Sequence, residues 1–272
     1  MKKSFKRFSW LLVLLIPLLI VAGCGKSSSS SSSTKTVKVG IMGSDEKIWK
    51  PIQKKLKKEG INIKLVTFTD YNQPNAALTN HEIDINSFQH TYFMDQWNKA
   101  HKTHIVSIGK TVRAPLRLYS KKVKNVADIK KGDQITIPND STNEGRALHL
   151  LQSAGLIKVD SKVALPTPKN ITQNKLNLKI TAVDAAQTPR SLSDATGAVI
   201  NNEFAAEAKL PNSETIYKEK LNKASIPYVN IIAANKSDKN NKTYKKIVKA
   251  YQSEATKKLI KKYFHGLSVP AW

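Results

Sequence analysis

Residues 37–41, Val37-Lys38-Val39-Gly40-Ile41, place apolar side chains at alternate positions, the period of a strand with one face buried. Ser44 then stands where a helix N-cap belongs, and Ile48, Ile52 and Leu56 recur every four residues until Gly60. That spacing lays one apolar stripe along a helix, and Gly60 suits the left-handed turn that ends one. Ile61, Ile63 and Leu65 return to period two, giving a second strand that ends near Phe68. The pattern next predicts a short helix near 75–80, a strand at 83–87, a helix near 91–100 and a strand at 105–108. The middle of the chain repeats the rhythm. It holds a short helix at 126–131, a strand at 134–137, a helix at 143–154 closed by Gly155, strands at 178–180 and 197–200, and a helix near 203–209. A strand at 228–233 and helices over 242–264 complete it. Strands alternating with helices predict an α/β protein with a largely parallel sheet.

Two extended stretches, 112–119 and 227–233, bracket the middle block. If both cross between lobes, residues 35–114 plus 231–272 form one lobe and 115–230 the other. Two crossings suit a hinged clamshell with its ligand between the lobes. The folded part shows no short internal repeat and no long linker.

The N-terminal pattern is different in kind. Lys2, Lys3, Lys6 and Arg7 precede an apolar run from Trp10 to Ala22, interrupted by Pro17. The run is too short for the roughly 20 residues that a bilayer span requires. A cationic start, a short apolar segment and small residues at its end read as an export signal over residues 1–23. Val21-Ala22-Gly23-Cys24 resembles a bacterial lipobox, in which the thiol accepts diacylglycerol and the acyl chains, such as palmitate, make a stable anchor. Cys24 is the only cysteine, which excludes a disulfide within the chain and a cysteine-based metal cluster. The lipidated Cys24 and the unbroken run Ser27–Ser33 make residues 24–34 a flexible tether. The expected place is the extracytoplasmic face of a cell membrane, and a lysine-rich, serine-tethered mature chain favours a Gram-positive host.

A formal net charge of +25 would suit a nucleic-acid partner. Export removes the chain from cytoplasmic nucleic acid, and the lysines are dispersed on amphipathic segments, not clustered with aromatics. A solvated basic surface beside anionic headgroups or wall polymers accounts for the charge better. Enzyme motifs are missing: there is no Gly-x-Ser-x-Gly, no Walker loop and no His-Glu-x-x-His. His101 and His104 lie three apart in a lysine-rich segment and read as a surface pair. The expectation is a binding protein with no metal, no cofactor and no catalysis.

Two segments carry candidate binding chemistry. Residues 137–146 run from a strand through Pro138-Asn139-Asp140 into a helix, where Ser141 and Glu144 fit a capping box. Arg146 falls in that first turn, where a cation is disfavoured by roughly a few tenths of a kcal/mol. A bound carboxylate would reverse this and take a bidentate pair from the guanidinium; a solvent-facing Arg146 fits the segment equally well. Residues 84–93 place Phe88-Gln89-His90 at the carboxyl end of a strand, where open α/β sheets bind ligands. Tyr71 follows an earlier strand and can approach the same cleft. Such aromatics grip an apolar or thioether chain, sulfur–aromatic contacts contributing about 0.3–1.5 kcal/mol each; Phe88 as plain core is the competing account.

Several segments then read together, in order along the mature chain: Asp70-Tyr71 to Pro74-Asn75, Asp84 to His90, Tyr119-Ser120-Lys121-Lys122, Pro138 to Arg146, Leu150 to Ile157, Pro189-Arg190-Ser191-Leu192, Ala198 to Asn201, Pro227-Tyr228-Val229-Asn230 and Trp272. They resemble the MetQ/NlpA family of methionine-binding lipoproteins, the receptor components of methionine ABC importers. The resemblance implies a periplasmic-binding-protein-like fold of two α/β lobes that encloses L-methionine and passes it to a permease and ATPase. Carried over residue by residue, Arg146 pairs with the ligand carboxylate, and Asn143, Asn201 and Asn230 hold the head group. Tyr71, Phe88 and His90 line the side-chain pocket. Ser87, the second arginine in Arg113-Ala114-Pro115-Leu116-Arg117, and Asn202-Glu203-Phe204-Ala205 depart from the family pattern. The departures leave open a related amino acid or a methionine-containing dipeptide as ligand. An adhesive lipoprotein that uses its basic face is the alternative from another class.

Overall fold

The computed structural model describes residues 35–272; the export signal, Cys24 and the serine tether lie outside the described residues. The chain runs β1 (Lys35–Met42), α1 (Glu46–Lys58), β2 (Ile61–Phe68), α2 (Gln73–Thr79), β3 (Ile85–His90), α3 (Thr91–His101), β4 (Ile105–Arg113) and β5 (Arg117–Tyr119). It continues with β6 (Gln134–Pro138), α4 (Ser141–Ser153), β7 (Lys158–Val159), β8 (Ile171–Gln173), β9 (Lys179–Val183), β10 (Gly197–Ile200), α5 (Asn202–Glu207) and β11 (Thr215–Lys218). β12 (Val229–Asn235), α6 (Lys242–Tyr251), α7 (Glu254–Phe264) and β13 (Val269–Pro270) close it.

Two main sheets result, ordered β13-β4-β12-β3-β1-β2 and β11-β5-β10-β6-β9. They are mixed, which corrects the expectation of a largely parallel sheet. β1 lies parallel to β2 and β3, but β12 runs antiparallel to both β3 and β4. The reason is connectivity. β4 leaves directly for the second sheet and β12 comes directly back, so neither has the helical crossover that parallel pairing needs. The crossings pass through residues 114–116 and 219–228, and Val229 and Asn230 already pair with Arg113 and His90 of the first sheet.

Each sheet has its own core. α1 buries Ile48, Ile52 and Leu56, the stripe read from the sequence, together with Trp49, against β1 and β2 and against Ile247, Tyr251 and Ile260 of α6 and α7. α4 buries Leu148 and Leu151 against Ile135 and Ile137 of β6 and Val199 of β10. Burying one such aliphatic side chain stabilises by about 1.5–3 kcal/mol, so these stripes hold the helices in place more than their propensities do.

Three local expectations fail. Ser44 caps nothing: α1 starts at Glu46, and Asp45 at its N-cap makes no side-chain cap. The segment 126–131 forms only a single 3₁₀ turn, Val126–Asp128, because Asn125 and Asp128 close a capping box around it. The expected helices over 242–264 do form, as α6 and α7, parted at 252–253, where Ser253 caps α7 by accepting from the Thr256 N–H. The α4 cap is Asp140 in place of Ser141, because the carboxylate reaches the Asn143 N–H at 3.0 Å.

Candidate ligand-binding site

Both sheets end at a common cleft. From the first sheet, β3 is buried along its whole length and delivers Phe88, Gln89 and His90 at its carboxyl end, with Tyr71 in the loop before α2. From the second, α4 supplies Asn143 and Arg146, and the turn from β10 into α5 supplies Asn201, Asn202 and Glu203. Asn230 on β12 lies opposite His90. All seven small-molecule contacts expected from the sequence line one cavity.

One end of the cavity is aromatic. Tyr71 packs on Phe88 at 5.9 Å between ring centroids and on Phe204 at 4.8 Å, and Phe93 meets Phe88 edge to face at 5.8 Å. Gln89 lies among the cavity residues, but its amide is already engaged. Nε2 donates to Asn75 Oδ1 at 2.7 Å and Oε1 accepts from Asn75 Nδ2 at 2.8 Å. Asn86 joins the pair, donating to Asn75 Oδ1 at 2.9 Å. This closed network fixes β3 against α2, and Gln89 is scaffold.

His90 is neutral. Its Nδ1 caps α3 by accepting the Phe93 N–H at 3.0 Å, so the ring proton sits on Nε2. Burial, and then the nearby Arg146 charge, push its pKa down to about 3, outweighing the contrary effect of Asn143. Neither His90 Nε2 nor Asn143 Oδ1 has a hydrogen-bond partner among the described residues.

The other end is polar. Glu203 is 6 % exposed and accepts from the Tyr71 hydroxyl at 2.9 Å and from Asn230 Nδ2 at 3.1 Å. Burial raises its pKa, opposed by these donors and by Arg146. Asn143 turns its Nδ2 to Asp140, while the Oδ1 atoms of Asn201 and Asn202, both buried, are unpartnered among the described residues. Such orphaned atoms cost about 1–3 kcal/mol each unless something binds them.

Arg146 does not stand as the sequence reading placed it. Its bidentate edge goes to Glu219, with Nε to Oε1 at 3.0 Å and Nη2 to Oε2 at 2.5 Å, and Nη2 also donates to the Ala114 carbonyl at 2.9 Å. Tyr228 covers the guanidinium, 4.3 Å from its ring centroid. Nη1 is the nitrogen left uncommitted by Glu219 and Ala114, so the geometry offers an anion one end-on donor. Sequence reasoning gave no site role to Glu219 or Tyr228, which lie at the two ends of the irregular return crossing. Glu203 was visible only as a departure from a family pattern. His101 stacks on Trp97 at 3.7 Å, and no group of three His, Cys, Asp or Glu able to hold a metal occurs among the described residues.

Residues 37–272 match the family model described as NlpA lipoprotein. A D-methionine-binding lipoprotein MetQ of Salmonella typhi is 44% identical over 211 residues, covering 75% of this chain and 77% of the relative. The substrate-binding protein of a methionine transporter from Streptococcus pneumoniae superposes with a TM-score of 0.83 at 44% identity, covering 87% of this chain and 96% of the other. A nutrient-binding protein from Burkholderia cenocepacia, solved bound to methionine, gives a TM-score of 0.83 at 43% identity over 87% of this chain and all of the other.

Proposed function

The chain belongs to the NlpA lipoprotein family, and from that premise we propose that it captures L-methionine outside the membrane and delivers it to the permease and ATPase of an ABC importer. The observation that carries this reading is one cavity with an aromatic end and a polar end, each of the chemistry that methionine requires. The thioether chain lies among Tyr71, Phe88, Phe93 and His90. The carboxylate meets Arg146 Nη1 end-on, and Asn143, Asn201 and Asn230 complete the head-group contacts. Glu203 faces the ammonium. No bond is made or broken. The lobe division is 35–114 plus 231–272 against 115–230, and closure brings the two halves of the contact set together. Cys24 carries the acyl anchor that keeps the receptor at the membrane, and the composition supports a host with one membrane.

The likeness to the D-methionine-binding lipoprotein of Salmonella typhi supports D-methionine as a second reading. Mass spectrometry of ligand released from gently purified protein separates the readings, with chiral analysis of any methionine found. Release of L-methionine is the expected result; a different amino acid or a dipeptide overturns the assignment.

A further inference from the structure

Charge is unevenly spread over the first sheet's outer layer. α1, α6 and α7, which pack together over one face, contain fourteen lysines and two glutamates. The placement of these lysines along the strands matters more than their number. β1 and β2 are parallel, with Lys35 opposite Ile61 and Met42 opposite Phe68. α1 joins them, so it runs back along the sheet and its last turn, with Lys55, Lys57 and Lys58, lies beside the start of β1. The start of α6 reaches the same end. Tyr244 donates to Asp84 Oδ1 at 3.2 Å, and Asp84 Oδ2 accepts the Lys38 N–H at 2.7 Å. Lys242, Lys245 and Lys246 are exposed there. Glu59 and Glu82, both exposed, and Asp238, half-buried, also lie at or near this pole, but they are outnumbered.

Local helix energetics explain only half of the pole. Cations in the last turn of α1 are favoured by the helix dipole, whereas at the start of α6 they are disfavoured, and that first turn has no acid to offset them. The pole is also where the chain enters the fold, at Lys35. Ten residues lie between Cys24 and Lys35, eleven Cα steps that span at most about 40 Å when extended. The ligand cleft lies at the opposite ends of the strands, on the order of 25 Å away along eight-residue β1.

We propose that this lysine-rich pole is a binding face for the anionic headgroups of the membrane that carries the anchor, and that it stands the protein with its cleft turned outward. Anionic lipid attracts such lysines within about a Debye length, roughly 8 Å in physiological salt, so contact needs the pole to be the part held nearest the bilayer. The proposal rests on the anchor reading of Cys24 but not on the identity of the cleft's ligand.

The test is vesicle flotation of the unlipidated mature protein, whose residues 34–272 form one compact unit. Vesicles of phosphatidylcholine are compared with vesicles that also contain phosphatidylglycerol. The expected result is binding to the anionic vesicles alone, lost as salt is raised, and reduced at least tenfold when Lys55, Lys57, Lys58, Lys242, Lys245 and Lys246 are changed to Gln. A control variant replaces six exposed lysines of the second sheet's lobe, Lys121, Lys124, Lys130, Lys131, Lys162 and Lys175, and should keep its binding. Equal loss in both variants would mean that net charge alone acts and would overturn the proposal, as would no binding to anionic vesicles at low salt. An unacylated Cys24 in protein made by the host would defeat the anchor reading separately.

Discussion

Buried amide side chains are handled in opposite ways on the two sides of the cleft. On the first sheet's side, Asn75, Asn86 and Gln89 are almost wholly buried and satisfy one another through a closed set of amide contacts. On the second sheet's side, Asn201 and Asn202 are also buried, yet each leaves its Oδ1 without a partner among the described residues. A satisfied network rigidifies and specifies the fold, whereas an unsatisfied group is a reserve of free energy that a ligand can collect. The contrast separates scaffold from recognition among residues of the same type.

That contrast can be broken by mutation. The largest expected effect on binding is at Arg146, whose replacement by Ala should weaken methionine binding by at least tenfold, about 1.4 kcal/mol, in calorimetry. Because half-buried Glu219 would be left without its partner, Arg146→Ala should also lower stability, so affinity must be read at a temperature where the variant is folded. Asn86→Ala should cost about 1–3 kcal/mol in denaturant unfolding through the amides it orphans, while changing affinity less than threefold. Asn201→Ala should do the reverse, with stability within about 0.5 kcal/mol and affinity reduced about tenfold. If Asn86→Ala and Asn201→Ala behaved alike, the division between the two sides would fail.

His90 supplies a pH prediction. Its folded pKa of about 3 lies below the unfolded value of 6.5, so at intermediate pH the unfolded chain binds the extra proton. Its contribution to stability is complete above pH 6.5 and declines as pH falls toward 3, by at most about 1.4 kcal/mol per pH unit. Comparing unfolding of the protein with that of His90→Gln between pH 7 and 4 isolates this slope, which should be missing from the variant. The smallest effect is expected at Tyr71→Phe, which removes one donor to Glu203 and should weaken binding by about threefold to tenfold, near 1 kcal/mol.

Hydrophobic period revealed the elements that bury one face. The stripe of Ile48, Ile52 and Leu56 and the alternating residues of β1 and β2 lie where the pattern put them. Features decided by long-range contact were not legible. The antiparallel insertion of β12 between β3 and β4 depends on a return from the other sheet, which no local period reports. In the cleft, residue types and strand-end positions pointed to Phe88, His90 and Arg146, and the family resemblance supplied the asparagines. Glu219 is 73 residues from Arg146 in sequence, and nothing near either residue announces the pair. Likewise, Gln89 and His90 look equivalent at a strand end until Asn75 is seen to occupy one and the Phe93 amide the other.

The central claim is that the polar end of the cleft holds an amino-acid head group. It is tested most directly by calorimetric titration of ligand-free protein with L-methionine and with 3-(methylthio)propylamine, which keeps the thioether chain and the amine but lacks the carboxylate. The account predicts one saturable site for L-methionine and binding of the amine weaker by at least tenfold. Equal affinity for the two compounds, or no heat with L-methionine, would contradict it.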